Sequence, residues 1–319
     1  MKKVISILTC LCLLMTTGCS RQETIRFGAA GVGGMYYPFA NAFTELASKD
    51  EAGINWKVKS TAGSAANLRL LSDNYIELGI AQADLIEDAY YGKGSFHSGK
   101  YRGYKAVASL YPEACQIVVR KDSDITSLDD LEGKNVSVGE EESGTERNAT
   151  QILEMCGLPD NLVNTKNLDY TDAADQLAEK KIDAFFCTAG ICTTVIEELT
   201  KECDIRLVEI PESCRQKLKK AYSFYDDYVI PAGTYSGQTE DIETISVQSV
   251  LLASSTLSEK TVQKLTASLF KHIKDIQYST SINLQLTPQE AVKGITIPFH
   301  PGAEAYYRLE GVELPEVES

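Results

Sequence analysis

The sequence predicts an α/β protein built as two lobes with a ligand cleft between them. Three observations lead there. Strand-like and helix-like segments alternate along most of the chain, the pattern of parallel sheets covered by helices. Three loops rich in Gly, Ser or Thr each connect a strand to a helix. Two breaks, at residues 111–113 and 230–233, divide the alternation into a first set, a second set and a return.

The chain opens with Lys2 and Lys3, an apolar run over residues 4–15, and Thr16-Thr17-Gly18-Cys19. That is the layout of a secretory signal and is too short to span a bilayer. A small residue before Cys is what a lipoprotein signal peptidase requires. Residues 1–18 are therefore expected to be removed and Cys19 to carry the lipid; the alternative is an ordinary cleaved signal with an incidental Cys. Residues 19–23 read as a polar tether. The expected location is outside the cytoplasm, on the outer face of the cytoplasmic membrane.

Strands are expected at residues 25–30, Ile54–Lys59, 76–81, 106–110 and 116–120. A helix opens near Pro38, and another covers residues 64–71 with Ala65, Leu68 and Leu71 on one side. The second set holds strands at 135–139, 182–187 and 206–210, with a helix at 143–156 ended by Gly157 and Pro159. After the second break come a strand at 244–253 and a long amphipathic helix from Ser258. In that helix Val262, Leu265, Leu269, Ile273 and Ile276 keep a 3–4 spacing. Thr287-Pro288-Gln289-Glu290 supplies an N-cap, a Pro at the first helical position and a Glu at the third, which predicts one more helix start. Lobe 1 is expected over residues 24–112 and 232–319, and lobe 2 over 113–231.

Without Lys2 and Lys3, 29 basic side chains face 45 acidic ones, a balance of −16. Such a surface argues against nucleic acid and against a polybasic grip on anionic lipid. It leaves room for an anionic ligand, because backbone N–H groups alone make a pocket locally positive. Six of the nine Cys remain beyond the leader and the lipid site: Cys115, Cys156, Cys187, Cys192, Cys203 and Cys214. No C-x-x-C pair suggests a structural zinc. Cys203–Cys214 and Cys187–Cys192 are candidate disulfides, while Cys115 and Cys187 in strand-like runs also suit buried free thiols.

The three strand-to-helix loops are the candidate binding elements. They are Gly31-Val32-Gly33-Gly34-Met35-Tyr36-Tyr37-Pro38, Ser60-Thr61-Ala62-Gly63-Ser64 with Asn67 a turn later, and Glu142-Ser143-Gly144-Thr145 with Asn148 a turn later. In an α/β sheet such loops lie at the carboxyl ends of strands, where ligands bind. Glycine allows close backbone approach, and helix N-terminal N–H groups and hydroxyls donate to an anion. Each Ser or Thr serves equally as a routine N-cap. The first loop is no dinucleotide fingerprint, since Tyr36 stands where a third Gly belongs, and Gly144-Thr145 lacks the Lys of a P-loop. Gln82 and Asp84 follow the strand at 76–81 and face the same mouth. Gln82 offers donor and acceptor; Asp84 suits an ammonium or a helix cap. Tyr111 and Phe186 are candidates to pack on a solute's carbon chain, with core packing the competing role for Phe186.

Catalytic constellations do not appear. His97, His272 and His300 are scattered, and no HExxH, G-x-S-x-G or EF-hand pattern occurs. No metal or cofactor is expected. Glu140, Glu141 and Glu142 read as a solvated face.

Taken in order, these segments resemble the TAXI family, the solute-binding subunits of tripartite ATP-independent periplasmic (TRAP) transporters, from about Ile25 to Tyr307. The carrying pieces are Gly33-Gly34-Met35-Tyr36-Tyr37-Pro38, Gly63-Ser64-Ala65-Ala66-Asn67-Leu68, Gly79-Ile80-Ala81-Gln82-Ala83-Asp84 and Ala108-Ser109-Leu110-Tyr111-Pro112-Glu113. Further on come Ser137-Val138-Gly139, Ser143-Gly144-Thr145-Glu146, Ile182-Asp183-Ala184-Phe185-Phe186, Ile230-Pro231-Ala232-Gly233-Thr234-Tyr235 and Pro298-Phe299-His300-Pro301-Gly302-Ala303. The resemblance implies a two-lobed, type II periplasmic-binding-protein-like fold. It implies a monomer that passively binds a small anionic solute, a carboxylate or amino acid such as glutamate, glutamine or 2-oxoglutarate. It further implies delivery to an integral membrane TRAP permease. At Ala189-Gly190-Ile191-Cys192-Thr193 the family would place a Pro-containing turn, and Cys192 stands here instead. Two alternatives remain: a binding protein of an ABC transporter or sensor kinase, and a secreted hydrolase using Ser64 or Ser143, which would need a nearby base.

Overall fold

A computed structural model describes residues 23–159, 161–280 and 282–317. The leader, Cys19 and most of the expected tether lie outside the described residues. Glu23, expected as tether, already pairs with Ile54 in the first strand.

The strands are β1 (Glu23–Gly28), β2 (Ile54–Lys59), β3 (Leu78–Gln82), β4 (Tyr104–Arg120), β5 (Asn135–Ser137), β6 (Asn164–Lys166), β7 (Ala184–Ala189), β8 (Ile205–Val208), β9 (Asp226–Ile230) and β10 (Ile242–Ser254). The α-helices are α1 (Tyr36–Asp50), α2 (Ser64–Ser72), α3 (Ala83–Tyr91), α4 (Gly144–Met155), α5 (Tyr170–Ala178), α6 (Thr194–Glu202), α7 (Glu212–Ala221), α8 (Glu259–Lys271), α9 (Ile273–Thr280) and α10 (Pro301–Leu309).

The strands run in the order β2-β1-β3-β10-β4-β7-β5-β6, with β8 beside β4 and β9 beside β10. Each end is parallel, as the alternation predicts: β1 lies between β2 and β3, and β5 between β6 and β7. The centre is not. β4 and β10 are long and antiparallel to each other; β10 also pairs antiparallel with β3 of one end and with β9, and β4 with β7 of the other end and with β8. The expected break at residues 111–113 is therefore the middle of β4. Pro112 is tolerated because it sits opposite Gln248 beside a register shift between Gln248 and Val250, and a bulge is where a strand accepts a residue that cannot donate. The break at 230–233 is the turn that ends β9 and precedes β10.

Two cores follow from strand alternation. In β4, Cys115, Ile117 and Val119 enter one core while Val118 enters the other; in β7, Ala184 and Phe186 go one way and Phe185, Cys187 and Ala189 the other. The smaller core is closed by Ile152 and Leu153 of α4 and Leu218 of α7. The larger spans β1, β3, α1, α2, α3, α8 and α10 and continues into α5 and α6 through Leu177, Ile196 and Leu199. A sheet buried on both faces explains its near-continuous apolar strands.

Helix ends follow local chemistry. The side chains of Ser143, Asp169 and Ser258 accept from N–H groups three residues on, and His300 Nδ1 accepts from Gly302 N–H at 3.1 Å. Two helix expectations fail. The long helix from Ser258 is interrupted at His272, whose Nε2 lies 3.0 Å from Asp50 Oδ2 of α1. After Thr287 the cap forms, with Glu290 N–H donating to the Thr287 hydroxyl, but only turns follow and Gly294 takes a left-handed φ of 70°.

Neither candidate disulfide forms. Cys156, at the end of α4, instead bridges Cys214 of α7, with Cα atoms 5.3 Å apart. Both helices pack on the small core, which brings these Cys together. Cys115 and Cys187 are buried free thiols, and Cys192 and Cys203 are free and partly exposed. No described helix is long and apolar enough to cross a membrane.

Candidate functional site

The cavity lies where the β2-β1-β3 end and the β7-β5-β6 end of the sheet face each other. It is lined from one side by Ala30, Gly31, Gly34, Met35, Tyr36, Ala62, Gly63, Ser64 and Gln82, and from the other by Glu140, Gly144, Thr145, Asp169, Tyr170, Thr188 and Ala189. Glu113, from the middle of β4, forms part of the lining between them. Its volume is about 50 Å³, where a single water needs roughly 10–15 Å³. A wider vestibule of about 320 Å³ shares Gly31, Ala62, Glu140, Asp169 and Tyr170 and leads outward past Ser60 and Thr61.

Glycines set how closely the ends approach. A Cβ on Gly34 would lie 3.2 Å from the Tyr170 ring, and one on Gly144 would run into the Gln82 amide. Gly63 has φ 130°, a conformation side-chain-bearing residues avoid, and it packs on Ser143. Direct bonds cross the cleft. The N–H groups of Ala65 and Ala66 donate to the Glu142 carbonyl at 3.1 and 3.4 Å, and Val195 N–H to Gly33 O at 3.2 Å. Arg69 pairs with Glu142, and Arg147 with Asp88 at 3.0 Å. Glu142, expected as a solvated side chain, is therefore a clasp, and Glu140 lines the cavity. The arrangement is that of a shut cleft.

Of the sequence candidates, Gly34, Tyr36, Ser64, Gln82, Gly144 and Thr145 meet at the cavity. The rest stand elsewhere. Asn67 is fully buried behind it: its amide donates to Gly28 O and Ile80 O and accepts from Thr61, tying β1, β3 and a loop together. Ser143 caps α4, its hydroxyl accepting from Glu146 N–H at 3.0 Å. Tyr111 is buried against Phe39 and Gly190, and Phe186 lies in the smaller core. Asp84 begins α3, is 2 % exposed and does not line the cavity. Its carboxyl faces the backbone N–H groups at the start of its own helix and feels the charges of Arg147 and Asp88. Burial raises its pKa to about 7. Cys192 adopts a left-handed φ of 59° just outside the lining residue Ala189.

Glu113 is the residue that sequence reasoning passed over. It is 2 % exposed and accepts a hydrogen bond from the Tyr36 hydroxyl at 2.9 Å. Burial is the main cause that pushes its pKa up to about 8, opposed by the hydrogen bonds of Tyr36 and Gln82 and reinforced by Asp84. Its signal was an acid between two mostly apolar runs, Ala108-Ser109-Leu110-Tyr111 and Ala114-Cys115-Gln116-Ile117, that a single strand would bury. Tyr170 was also missed; the Asp169 cap places it at the start of α5, its hydroxyl 2.5 Å from Thr145 Oγ1 and donating to Thr188 O at 3.0 Å. Thr145 Oγ1 also accepts from Thr188 N–H. The N–H groups of Gly144 and Thr145 meet no acceptor among the described residues, so the start of α4 offers two free donors beside the cavity.

This architecture, a mixed α/β sheet with helices on both faces and a cavity between its ends, is that of the periplasmic binding proteins. The alkanesulfonate-binding protein SsuA from Xanthomonas axonopodis pv. citri matches with a TM-score of 0.52 at 16% identity, over 90% of this chain and 83% of its own. A Listeria monocytogenes protein assigned as an L-cystine ABC transporter matches with a TM-score of 0.53 at 16% identity, over 81% and 94%. A periplasmic transporter matches with a TM-score of 0.56 at 13% identity, over 91% and 93%. Within that fold the chain belongs to the NMT1-like family, whose model matches residues 27–311.

Proposed function

We propose that the protein is an extracytoplasmic solute-binding lipoprotein that captures a small carboxylate or amino acid by closure of two lobes and delivers it to a TRAP-type permease. The observation that carries the capture step is the cavity between the two ends of the sheet, bounded by Gly34, Ser64, Gln82, Gly144 and Thr145 and shut by bonds that cross it. The lobes are residues 24–112 with 232–319, and 113–231; β4, which passes from the first into the second, and β10 paired along it form the hinge. Hinge closure of this kind needs few residues to change conformation.

The solute's carboxylate sits at the start of α4, where the N–H groups of Gly144 and Thr145 and the dipole favour negative charge. Lipidation at Cys19 holds the protein at the outer face of the membrane. Closure is driven by the solute's preference for the shut form, since equal affinity for both forms shifts nothing. The described residues lining the cavity include no His, Lys or Arg to activate Ser64, whose hydroxyl accepts from Gln82 N–H, which favours binding over hydrolysis. The TRAP assignment rests on the sequence motifs; delivery to an ABC permease is the second reading, favoured by the likeness to the Listeria protein assigned as an L-cystine ABC transporter.

Thermal-shift screening of the leader-free protein against amino acids, monocarboxylates and dicarboxylates tests the capture step. Stabilisation by at least one compact member supports it, and none across the panel refutes it. Uptake in cells producing the protein, with the ion gradient or the ATP pool collapsed in turn, separates the transport classes: dependence on an ion gradient supports TRAP, dependence on ATP replaces it.

A further inference from the structure

The charge inside the cleft has the wrong sign for a bare anion. Its described lining holds three carboxyl groups, Glu113, Glu140 and Asp169, and no basic side chain. Glu140 and Asp169 also line the vestibule, so a solute passes acids on the way in and meets another inside. The three do not converge on a metal: among the described residues, no group of three or more His, Cys, Asp or Glu is placed to hold one. The opposite need is met beside Glu113, where Gln82 packs over Gly144 at the start of α4. Gln82 is 2 % exposed, lines the cavity, and its Oε1 has no partner among the described residues. One wall is thus built for a carboxylate and the adjoining wall for a positively charged hydrogen-bond donor.

Resting on the solute-binding reading above, we propose that Glu113 decides which small acids the cleft accepts: its carboxylate receives a protonated amino nitrogen, and a solute offering an oxo group or a second carboxylate there is refused. Gly144 and Thr145 N–H then hold the solute's carboxylate, and Gln82 accepts a second N–H of its ammonium. Tyr36 positions Glu113 by donating to its Oε2. An oxo acid or dicarboxylate has only the hydrogen bond of the protonated Glu113 to gain, and loses it to repulsion as the carboxyl ionises with no cation beside it, whereas an ammonium draws off that proton and supplies the missing countercharge.

The reading has a proton signature. The groups facing Glu113 are Tyr36 from α1, Asp84 from α3, Tyr111 and Cys115 from β4, Tyr170 from α5 and Cys187 from β7. None is a cation, so the buried carboxyl holds its proton near neutrality until an ammonium arrives, and binding then releases that proton. Affinity for the amino solute therefore rises from pH 6 to 8, while the solute stays a zwitterion.

Calorimetry on the leader-free protein with matched pairs tests this: alanine and pyruvate, 2-aminobutyrate and 2-oxobutyrate, aspartate and oxaloacetate, glutamate and 2-oxoglutarate. The best amino acid is expected to bind at least about tenfold tighter than its oxo partner, the scale of one charge-assisted hydrogen bond. Its affinity should rise with pH and its heat should track the ionisation enthalpy of the buffer. Glu113→Gln should collapse the amino-to-oxo ratio, and Tyr36→Phe should reduce it less. An oxo acid or dicarboxylate binding as tightly as its amino partner, an unchanged ratio in Glu113→Gln, or a flat pH profile in the unaltered protein would each overturn the role of Glu113 and leave solute binding standing. The pH profile decides the matter even if the variant does not fold. Heat from none of the compounds overturns both readings.

Discussion

Replacing Glu113 by Gln should make the ligand-free protein more stable at alkaline pH, by an amount the burial of the carboxyl sets. Glutamine keeps the shape and can still accept from the Tyr36 hydroxyl. What it removes is an acid whose pKa climbs from 4.5 to about 8 in the folded chain, chiefly because burial disfavours its charge. Between those values the folded state holds a proton that the unfolded state has lost. Stability therefore falls as pH rises through that window, and is level below 4.5 and above 8. At 1.36 kcal/mol per pH unit the decline approaches about 5 kcal/mol at most. Opening the cleft hydrates Glu113 and caps that loss, because the chain escapes to the open form once closure costs more than it returns. A fall of roughly 2–3 kcal/mol between pH 5 and 8 is therefore expected, with the variant falling less. Urea unfolding at pH 5, 6, 7 and 8 measures it, with equal m-values confirming that stability alone has changed. Parallel curves for the two proteins, or an unaltered protein that gains stability with pH, would show that Glu113 is not held neutral by burial.

Gly144→Ala, which drives a Cβ into the Gln82 amide of the shut form, should weaken solute affinity about tenfold or more and lower ligand-free stability by no more than the roughly 2–3 kcal/mol at which the cleft opens; calorimetry and urea unfolding report the two. Arg69→Ala removes the clasp on Glu142, and small-angle X-ray scattering should find a larger radius of gyration without solute, returning to the unaltered value at saturation. Cys156→Ala with Cys214→Ala opens a link across 58 residues, which chain entropy values at about 4 kcal/mol, read as a lower urea midpoint. Asn67→Ala strands the Gly28 and Ile80 carbonyls behind the cavity and should cost roughly 3 kcal/mol of stability; unchanged stability would show that water replaces the amide.

The ends of the sheet were legible because period and punctuation agree there. Strand Ile54–Lys59 alternates, α2 opens at Ser64 after a glycine with positive φ, and α4 starts behind the Ser143 cap. The centre was not legible, because Pro112 reads as a stop in any local pattern. Its acceptance in β4 depends on a shifted register with β10, more than a hundred residues later in the chain. The helix after Thr287 failed for the opposite reason: its cap is sound, but Gly294 turns the chain before a second hydrogen-bonded turn accumulates. The Cys156–Cys214 bridge likewise depends on α4 and α7 sharing one core, a fact of packing that spacing does not carry.

The candidate site divides along the same line, and the division bears on what the cleft selects. Loops reveal themselves locally, so Gly34, Ser64, Gly144 and Thr145 were found by a glycine or hydroxyl at a helix start. That rule finds only donors, since helix N-termini and hydroxyls are what it searches for, and it leads to an anion pocket. The acids that line the described wall come from three other places: a strand interior (Glu113), a loop read as solvated (Glu140) and a helix cap (Asp169). Each has an ordinary reading alone. Their shared meaning arises when β4 carries Glu113 between two ends that the clasps draw together. A chain with 45 acidic residues against 31 basic ones can hold surface acids apart in water, but not inside a cavity of about 50 Å³ between the clasped ends. There a carboxylate either keeps its proton or finds a cation, which is the reason for proposing a solute that brings one.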